Sequence, residues 1–169
     1  MEEKKNIGKR FMGKVAIVTG STQGIGFAIT QRLGCEGAFI VISSCKQKNV
    51  DEAVEKLKAQ DAAPHMQKGS SVILVSSIGG YNPHASMPKY GVTKTTLLDL
   101  TKALATQMAP DTRVNCIAPV FVPTHFADFI TKNKAMMKSI EENTLLNRLG
   151  TTEDMASATA FWHLMMLLI

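Results

Sequence analysis

The chain has 169 residues, of which 45% are hydrophobic and 20% are charged, and its formal net charge at pH 7 is +5. This composition is typical of one folded domain, so it argues against a disordered chain and leaves little room for a second domain. No apolar run approaches the roughly 18 residues that a membrane span requires.

The first half of the chain predicts two strands that alternate with two helices. Residues 1–12 mix glutamates with lysines, so we predict a flexible tail there, followed by a single dinucleotide-binding domain over 13–169. The apolar run 15–18 is typical of a strand buried on both faces of a parallel sheet. A glycine-rich segment and a helical pattern follow, ending near Gly34. We predict the second strand at 38–42 and a charged helix at 49–60.

The second half continues the same alternation. We predict a third strand at 72–75, a Gly- and Pro-rich loop, a helix at 89–108 and a fourth strand at 113–117. Residues 124–169 have a helical pattern that Gly150 interrupts. Strands that alternate with helices predict an α/β fold, with a Rossmann-like, doubly wound parallel sheet.

A cluster of glycines lies between the first predicted strand and the helix after it. Gly20, Gly24 and Gly26 have the spacing and context of a dinucleotide-binding loop. Glycine there permits a tight turn and a close approach of the backbone to a pyrophosphate, whose charge then faces the helix N-terminus. The alternative is a tight turn without a ligand. We favour cofactor binding because of the flanking strand and helix.

A tyrosine and a lysine four residues apart form a second candidate site. Tyr90 and Lys94 share one face of the predicted helix, so the cation can stabilise tyrosinate and make Tyr90 a general acid or base. Ser77 ends the third predicted strand, where its hydroxyl can polarise a carbonyl. Taken alone, the tyrosine and lysine would more often be solvated side chains, but the combination with Ser77 favours catalysis.

Together these motifs resemble the short-chain dehydrogenase/reductase family over residues 13–161. The shared features are the glycine pattern, the serine, the tyrosine–lysine pair and Asn115 four residues before Pro119. The details are most similar to mammalian NADP-dependent reductases of dicarbonyl and retinal-type carbonyls. The resemblance implies an enzyme that reduces carbonyls to alcohols, and the reverse reaction, with NADP(H) and no metal.

The resemblance also implies a role for each matching residue. Ser77 would hold the substrate oxygen, Tyr90 would donate the proton, and Lys94 would bind the nicotinamide ribose. The implied cofactor contacts come from the glycine loop, the end of the second strand, the lysine and the segment after Pro119: Gly20, Ser21, Gly24, Ile25, Gly26, Ser43, Ser44, Lys46, Lys94, Val122 and Thr124.

The choice between NADP and NAD depends on the end of the second strand. Residues 43–46 contain no Asp or Glu that would bind a ribose 2′-hydroxyl, so NADP is favoured and NAD is the weaker alternative. Similar proteins have an arginine where this chain has Cys45. Phosphate binding would therefore fall to Ser43, Ser44 and Lys46.

The chain also departs from the family pattern. Only 57 residues separate Gly20 from Ser77, which is room for two strand–helix repeats where the family has four. We therefore predict an incomplete sheet of about four strands, without the central fourth strand and the last strand. Val120 replaces a glycine that usually follows Pro119. The alternative function is consequently a catalytically impaired form that binds nucleotide or a partner.

The remaining expectations concern partners and location. Scattered lysines without a recognition motif argue against nucleic acid, and four isolated histidines argue against a metal site. We expect a small carbonyl or alcohol substrate. The family forms homo-oligomers, but the missing segment makes that doubtful here. The resemblance implies a peroxisome or mitochondrion, while the absence of a recognisable targeting signal leaves the cytoplasm open.

Overall fold

The computed structural model describes residues 9–43, 66–128 and 132–164. Its strands are β1 (Val15–Thr19), β2 (Phe39–Ser43), β3 (Ser70–Val75) and β4 (Thr112–Ile117). Its helices are α1 (Gly24–Cys35), α2 (Pro88–Met108), α3 (Lys134–Glu142) and α4 (Thr152–Leu164), and short 3₁₀ turns span Ile78–Gly80 and His125–Ala127. The helix predicted at 49–60 lies outside the described residues, whereas the four strands and the long α2 occur where the sequence predicted them.

The strands form two separate parallel pairs. β1 pairs with β2, with Val15 opposite Phe39, and β3 pairs with β4, with Val75 opposite Ile117. Within the described ranges no hydrogen bonds join one pair to the other. Parallel pairs with intervening helices confirm the predicted α/β class, and the division into two pairs agrees with an incomplete sheet.

The main core lies between β1–β2 and the helices α1 and α4. α1 covers one face of the strand pair, and α4 packs on α1 while it also contacts β3 and β4. Small residues on α4 allow the two helices to approach closely. The helix α4 therefore holds the two strand pairs together around a cluster of buried residues: Phe11, Ala28, Ile29, Leu33, Ala156 and Ala160.

The opposite face of the β1–β2 pair is open, which the sequence did not predict. Val15 and Phe39 face each other in register and are 65% and 69% exposed, and Ile17 and Val41 continue the same apolar surface. The prediction that β1 is buried on both faces is therefore wrong. In a doubly wound sheet helices cover both faces, but among the residues the structure describes none packs on this side.

Two residues of the predicted tail 1–12, Arg10 and Phe11, contact the rest of the domain. Phe11 is 2% exposed in the core, and its N–H donates to the carbonyl of Glu36. The buried Glu36 carboxylate accepts hydrogen bonds from Arg10 and Arg32. Burial raises the pKa of Glu36, but these hydrogen bonds outweigh it and hold the pKa below its ordinary value. A buried carboxylate requires such partners, so Arg10 belongs to the fold.

Arg113 on β4 fixes the last turn of α4. Its guanidinium donates to the carbonyl oxygens of Trp162 at 2.8 Å and His163 at 2.6 Å. The final carbonyls of a helix have no partner within the helix, and a cation there also complements the helix dipole. The ring of His163 meets that of Phe11 edge to face at 5.1 Å. The end of α4 is thereby joined both to β4 and to the core.

His163 should make stability depend on pH. Burial lowers the pKa of His163, and the charges of Arg113 and Lys14 lower it further. The folded state thus prefers neutral imidazole. The stabilisation that His163 contributes is therefore fully present above its unfolded pKa of about 6.5, and it is lost as pH falls through the lower pKa that His163 has in the folded state. We expect the melting temperature to fall by a few degrees across that range. His163→Gln should reduce the dependence of the melting temperature on pH, whereas His84→Gln, at an exposed position, should leave that dependence as it is. An unchanged slope in His163→Gln would contradict the assignment.

Candidate active site

Three glycines shape the loop between β1 and α1. Gly20 and Gly24 have φ values of +62° and +56°, which strain any residue with a Cβ. A Cβ on Gly26 would lie 2.2 Å from the carbonyl oxygen of Gly20, so the start of α1 lies directly against the loop backbone. Gln23 occupies the N-cap without a side-chain hydrogen bond to the helix. This close-fitting loop and a helix start without a side-chain cap fit a dinucleotide phosphate.

The segment after β4 reaches this loop. A Cβ on Gly24 would lie 3.2 Å from Cγ2 of Thr124, so the threonine methyl rests beside the glycine. A cleft of ≈ 490 Å³ opens where the two segments meet. Its lining includes two of the predicted cofactor residues, Gly24 and Thr124, together with Gln23, Pro123, His125 and Asp128.

The other predicted cofactor residues have different positions. Ser21 is completely buried, so the structure does not present its side chain to a ligand. Val122 is also buried, and Ile25 packs against the core beneath the loop. Ser43 ends β2 opposite Thr19 in register. Ser44 and Lys46 lie outside the described residues.

Ser77 lies at the carboxyl end of β3. Its Oγ accepts a hydrogen bond from the N–H of Gly79 at 3.1 Å and lies 3.5 Å from the carbonyl oxygen of Pro119. The β3–β4 pairing extends into these loops, because the N–H of Ile78 donates to Pro119. Ser77 is 7% exposed, so its hydroxyl is held at a defined position beneath the surface.

Tyr90 lies in the first turn of α2 and faces Ser77 across Gly79. A Cβ on Gly79 would lie 3.4 Å from Cε1 of Tyr90 and 3.6 Å from Oγ of Ser77. The serine hydroxyl and the edge of the tyrosine ring thus border the same small space. The ring of Phe126 stacks on that of Tyr90, with centroids 5.5 Å apart and an interplanar angle of 28°.

Lys94 extends from α2 toward the end of β3. Its Nζ donates to the carbonyl oxygen of Val75 at 3.0 Å and lies 5.6 Å from the ring centroid of Tyr90. Burial lowers the pKa of Lys94, and a smaller electrostatic contribution from Cys116 on β4 acts in the opposite direction. An ammonium group has three donors. The contact with Val75 uses one of them, and the remaining two can bind hydroxyls or a phenolate.

Close packing holds α2 against the loop after β3. Oγ of Ser76 donates to the carbonyl oxygen of Lys94 at 2.6 Å, and Oγ1 of Thr95 donates to that of Gly80 at 2.8 Å. A Cβ on Gly80 would lie 2.8 Å from the oxygen of Lys94, so a larger residue would push the helix away. Gly79 and Gly80 were missed as site residues, although a Gly–Gly pair directly after a strand is a recognisable signal of close backbone approach.

The structure therefore brings the predicted residues together in two groups. Ser77, Tyr90 and Lys94 converge at the end of β3, while Gly24 and Thr124 meet at the glycine loop. A second cleft, of ≈ 440 Å³, runs along α2 between Pro83 and Asp99 and contains none of the predicted residues. In the described part of the chain, no three metal-binding side chains cluster together. No helix there is long and apolar enough to cross a membrane.

Comparison with known proteins decides the family. A family model described as enoyl-(acyl carrier protein) reductase matches residues 57–163, and one described as short chain dehydrogenase matches 14–66. Tropinone reductase-like 3 of Erythroxylum coca is 51% identical over 229 positions, covering 94% of this chain and 89% of the relative. The chain belongs to the short-chain dehydrogenase/reductase family. Because that alignment is longer than the chain, it includes positions that have no counterpart here.

Two further similarities confirm the resemblance and the fold. Human dehydrogenase/reductase SDR family members 2 and 4 are 34% and 33% identical, each covering 88% of this chain and about 80% of the relative. This short-chain dehydrogenase/reductase is thus more similar to the plant protein than to the mammalian reductases. A short chain dehydrogenase from Burkholderia cenocepacia, solved in complex with NADP, superimposes with a TM-score of 0.75 at 21% identity, covering 91% of each chain.

Proposed function

We propose that the chain is an NADP(H)-dependent oxidoreductase that reduces a carbonyl to an alcohol and catalyses the reverse oxidation. The observation that carries this proposal is the convergence of Ser77, Tyr90 and Lys94 at the carboxyl end of β3. Ligands of open α/β sheets bind at this end of the strands. A proton donor, a hydroxyl and a buried cation within one small region are the groups that carbonyl reduction requires.

Each residue has a defined part in the reaction. Ser77 donates a hydrogen bond to the carbonyl oxygen and orients it toward Tyr90. The Tyr90 hydroxyl gives its proton to that oxygen, and Lys94 stabilises the tyrosinate that remains. A nicotinamide cofactor held by the glycine loop and Lys94 would supply the hydride for the carbonyl carbon. The product alcohol thus gains one hydride and one proton, and Tyr90 recovers its proton from solvent.

The described residues fit the phosphate portion of a dinucleotide. The loop of Gly20 and Gly24 leaves its backbone open, and Thr124 borders the same cleft. Lys94 has donors available for the ribose hydroxyls. The absence of an acidic residue at 43–46 supports NADP over NAD, as does the family relative solved with NADP.

The substrate class and compartment are also proposals. The relatives are described as tropinone reductase-like and as dehydrogenase/reductases, which supports a small ketone or aldehyde substrate. The human family member 2 is described as mitochondrial, which supports a mitochondrion, with the peroxisome and the cytoplasm as alternatives.

The split sheet favours a second candidate function. β1–β2 and β3–β4 are separate pairs, so the glycine loop and the tyrosine belong to different pairs. We propose that this chain is an internally shortened form. If the two groups are misplaced by about 1 Å, the rate can fall a hundredfold, and the chain would then act by binding nucleotide alone.

One titration separates the two functions. Purified chain is titrated with NADPH while thermal melting is followed, and NADPH oxidation is then measured with a dicarbonyl substrate. The enzyme proposal predicts a rise of several degrees in melting temperature together with turnover. A melting shift without turnover would support the second candidate. No shift at millimolar NADPH would contradict both, and an equal response to NADH would contradict the choice of NADP.

A further inference from the structure

One short segment touches both groups of the candidate site. We define the bridging segment as residues 123–127. At one end the methyl of Thr124 lies beside Gly24, 3.2 Å from where a Cβ would stand. At the other end the ring of Phe126 stacks on Tyr90 at 5.5 Å. The glycine loop and the tyrosine, which belong to different strand pairs, are therefore connected through two residues of one turn.

The bridging segment is held as a compact unit. The N–H of Ala127 donates to the carbonyl oxygen of Thr124 at 2.8 Å, which closes the 3₁₀ turn. Ala127 is 8% exposed and anchors the turn in the protein. Thr124 and Phe126 lie within this single hydrogen-bonded turn, so a displacement of one is passed to the other.

Phe126 supplies a contact to Tyr90 that the rest of the site does not duplicate. The edge of the ring borders Gly79, which has no side chain to pack against it. Lys94 lies 5.6 Å from the ring centroid and is directed to the carbonyl of Val75. Phe126 itself is 62% exposed, so its ring does little for the core and is placed against the tyrosine instead.

We propose that Phe126 is a positioning residue that holds the ring of Tyr90, and that the contact of Thr124 with Gly24 sets the position of Phe126. The role of Phe126 in catalysis rests on the proposed function, because the proposed function makes Tyr90 the proton donor. The arrangement links the phosphate-binding loop to the orientation of the catalytic ring. A change at Gly24 is therefore transmitted to Tyr90 through the bridging segment.

A fluorine label on Tyr90 tests the stacking without requiring activity. The chain has two tyrosines, so Tyr81→Phe leaves Tyr90 as the single site for fluorotyrosine. In that background Phe126→Leu should shift the fluorine resonance, because the neighbouring ring current is lost. Phe126→Trp, which keeps an aromatic ring and adds no second fluorotyrosine, should bring the resonance back toward its original position. Phe161→Leu is the matched control, since Phe161 is also half-exposed but its ring contacts Trp162. An unchanged resonance in Phe126→Leu would overturn the inference.

A double-variant cycle tests the connection to the glycine loop. Gly24→Ala adds a Cβ that presses on Cγ2 of Thr124, so the Tyr90 resonance should move. Thr124→Ser removes that methyl and keeps the hydroxyl, so the double variant should return the resonance toward its original position. The backbone strain at Gly24 is present in both the single and the double variant. A shift that persists in the double variant would refute transmission through Thr124.

Kinetics distinguish positioning from a merely structural role. Phe126→Leu should lower kcat about tenfold with KM changed less than twofold, and Phe126→Tyr should restore kcat. A moved resonance with unchanged kcat would overturn the positioning role. Absence of turnover in the unaltered chain would overturn the proposed function, while the fluorine resonances would still decide whether Phe126 holds the ring and whether Thr124 transmits the change.

Discussion

Tyr90→Phe should lower kcat by roughly 10²- to 10⁴-fold, the usual contribution of a general acid or base. The change removes the hydroxyl that donates the proton but keeps the ring that stacks on Phe126. The melting temperature and its response to NADPH should therefore remain close to those of the unaltered chain. NADPH oxidation with a dicarbonyl substrate measures the first effect, and thermal melting measures the second.

Tyr81→Phe is the matched control for this prediction. It makes the same chemical change at a tyrosine that is 69% exposed and lies nine residues earlier. Its kcat should stay within about twofold of the unaltered chain, as is usual for exposed positions. If Tyr90→Phe retains full activity, the assignment of Tyr90 as proton donor is wrong.

Gly26→Ala should abolish NADPH binding and reduce stability. The added Cβ would lie 2.2 Å from the oxygen and 2.8 Å from the carbon of the Gly20 carbonyl. Both contacts involve backbone atoms, so the loop must move. We expect the free energy of unfolding to fall by about 2–4 kcal/mol. Denaturant unfolding measures the loss, and a melting titration with NADPH tests binding.

Gly34→Ala provides the comparison within the same helix. A Cβ at Gly34 would lie 3.5 Å from Cγ1 of Ile40, which is an ordinary van der Waals distance. Because glycine within a helix is roughly 0.5–1 kcal/mol less favourable than alanine, this variant should be as stable as the parent or more stable. Equal effects of the two substitutions would show that the close contact at Gly26 is not decisive.

Local sequence patterns were sufficient to place the strands and the long helix. Continuous β-branched runs bounded by glycine indicated β1 and β2, and the four-residue spacing of Tyr90 and Lys94 placed both on one side of α2. Ser77 could be placed at the end of β3 because it follows the apolar run that predicted this strand. These features depend on neighbours within a few residues, so the sequence reports them directly.

Features that depend on distant partners could not be predicted in the same way. An apolar run looks the same whether one face or both faces are covered, so the exposure of Val15 and Phe39 was missed. Phe11 stands among charged residues that suggested a tail, and its burial depends on α1 and α4.

The contacts of the bridging segment are also long-range. Thr124 is one hundred residues from Gly24, and Phe126 reaches Tyr90 only because the β3–β4 pairing brings Pro119 beside Ser77. The sequence suggested Thr124 as a cofactor contact. It did not indicate that one turn joins the two groups.

The packing of α4 on α1 has a consequence for synthesis on the ribosome. Ile29 and Leu33 precede their partners Ala156 and Ala160 by more than 120 residues in the chain. The nascent chain therefore carries an uncovered apolar helix surface until α4 has been made. At about 5–20 residues per second, α1 waits about 6–25 s before the residues of α4 that cover it have been made. During that interval this surface is open to contact with other proteins, and α1 is covered only once α4 has been made.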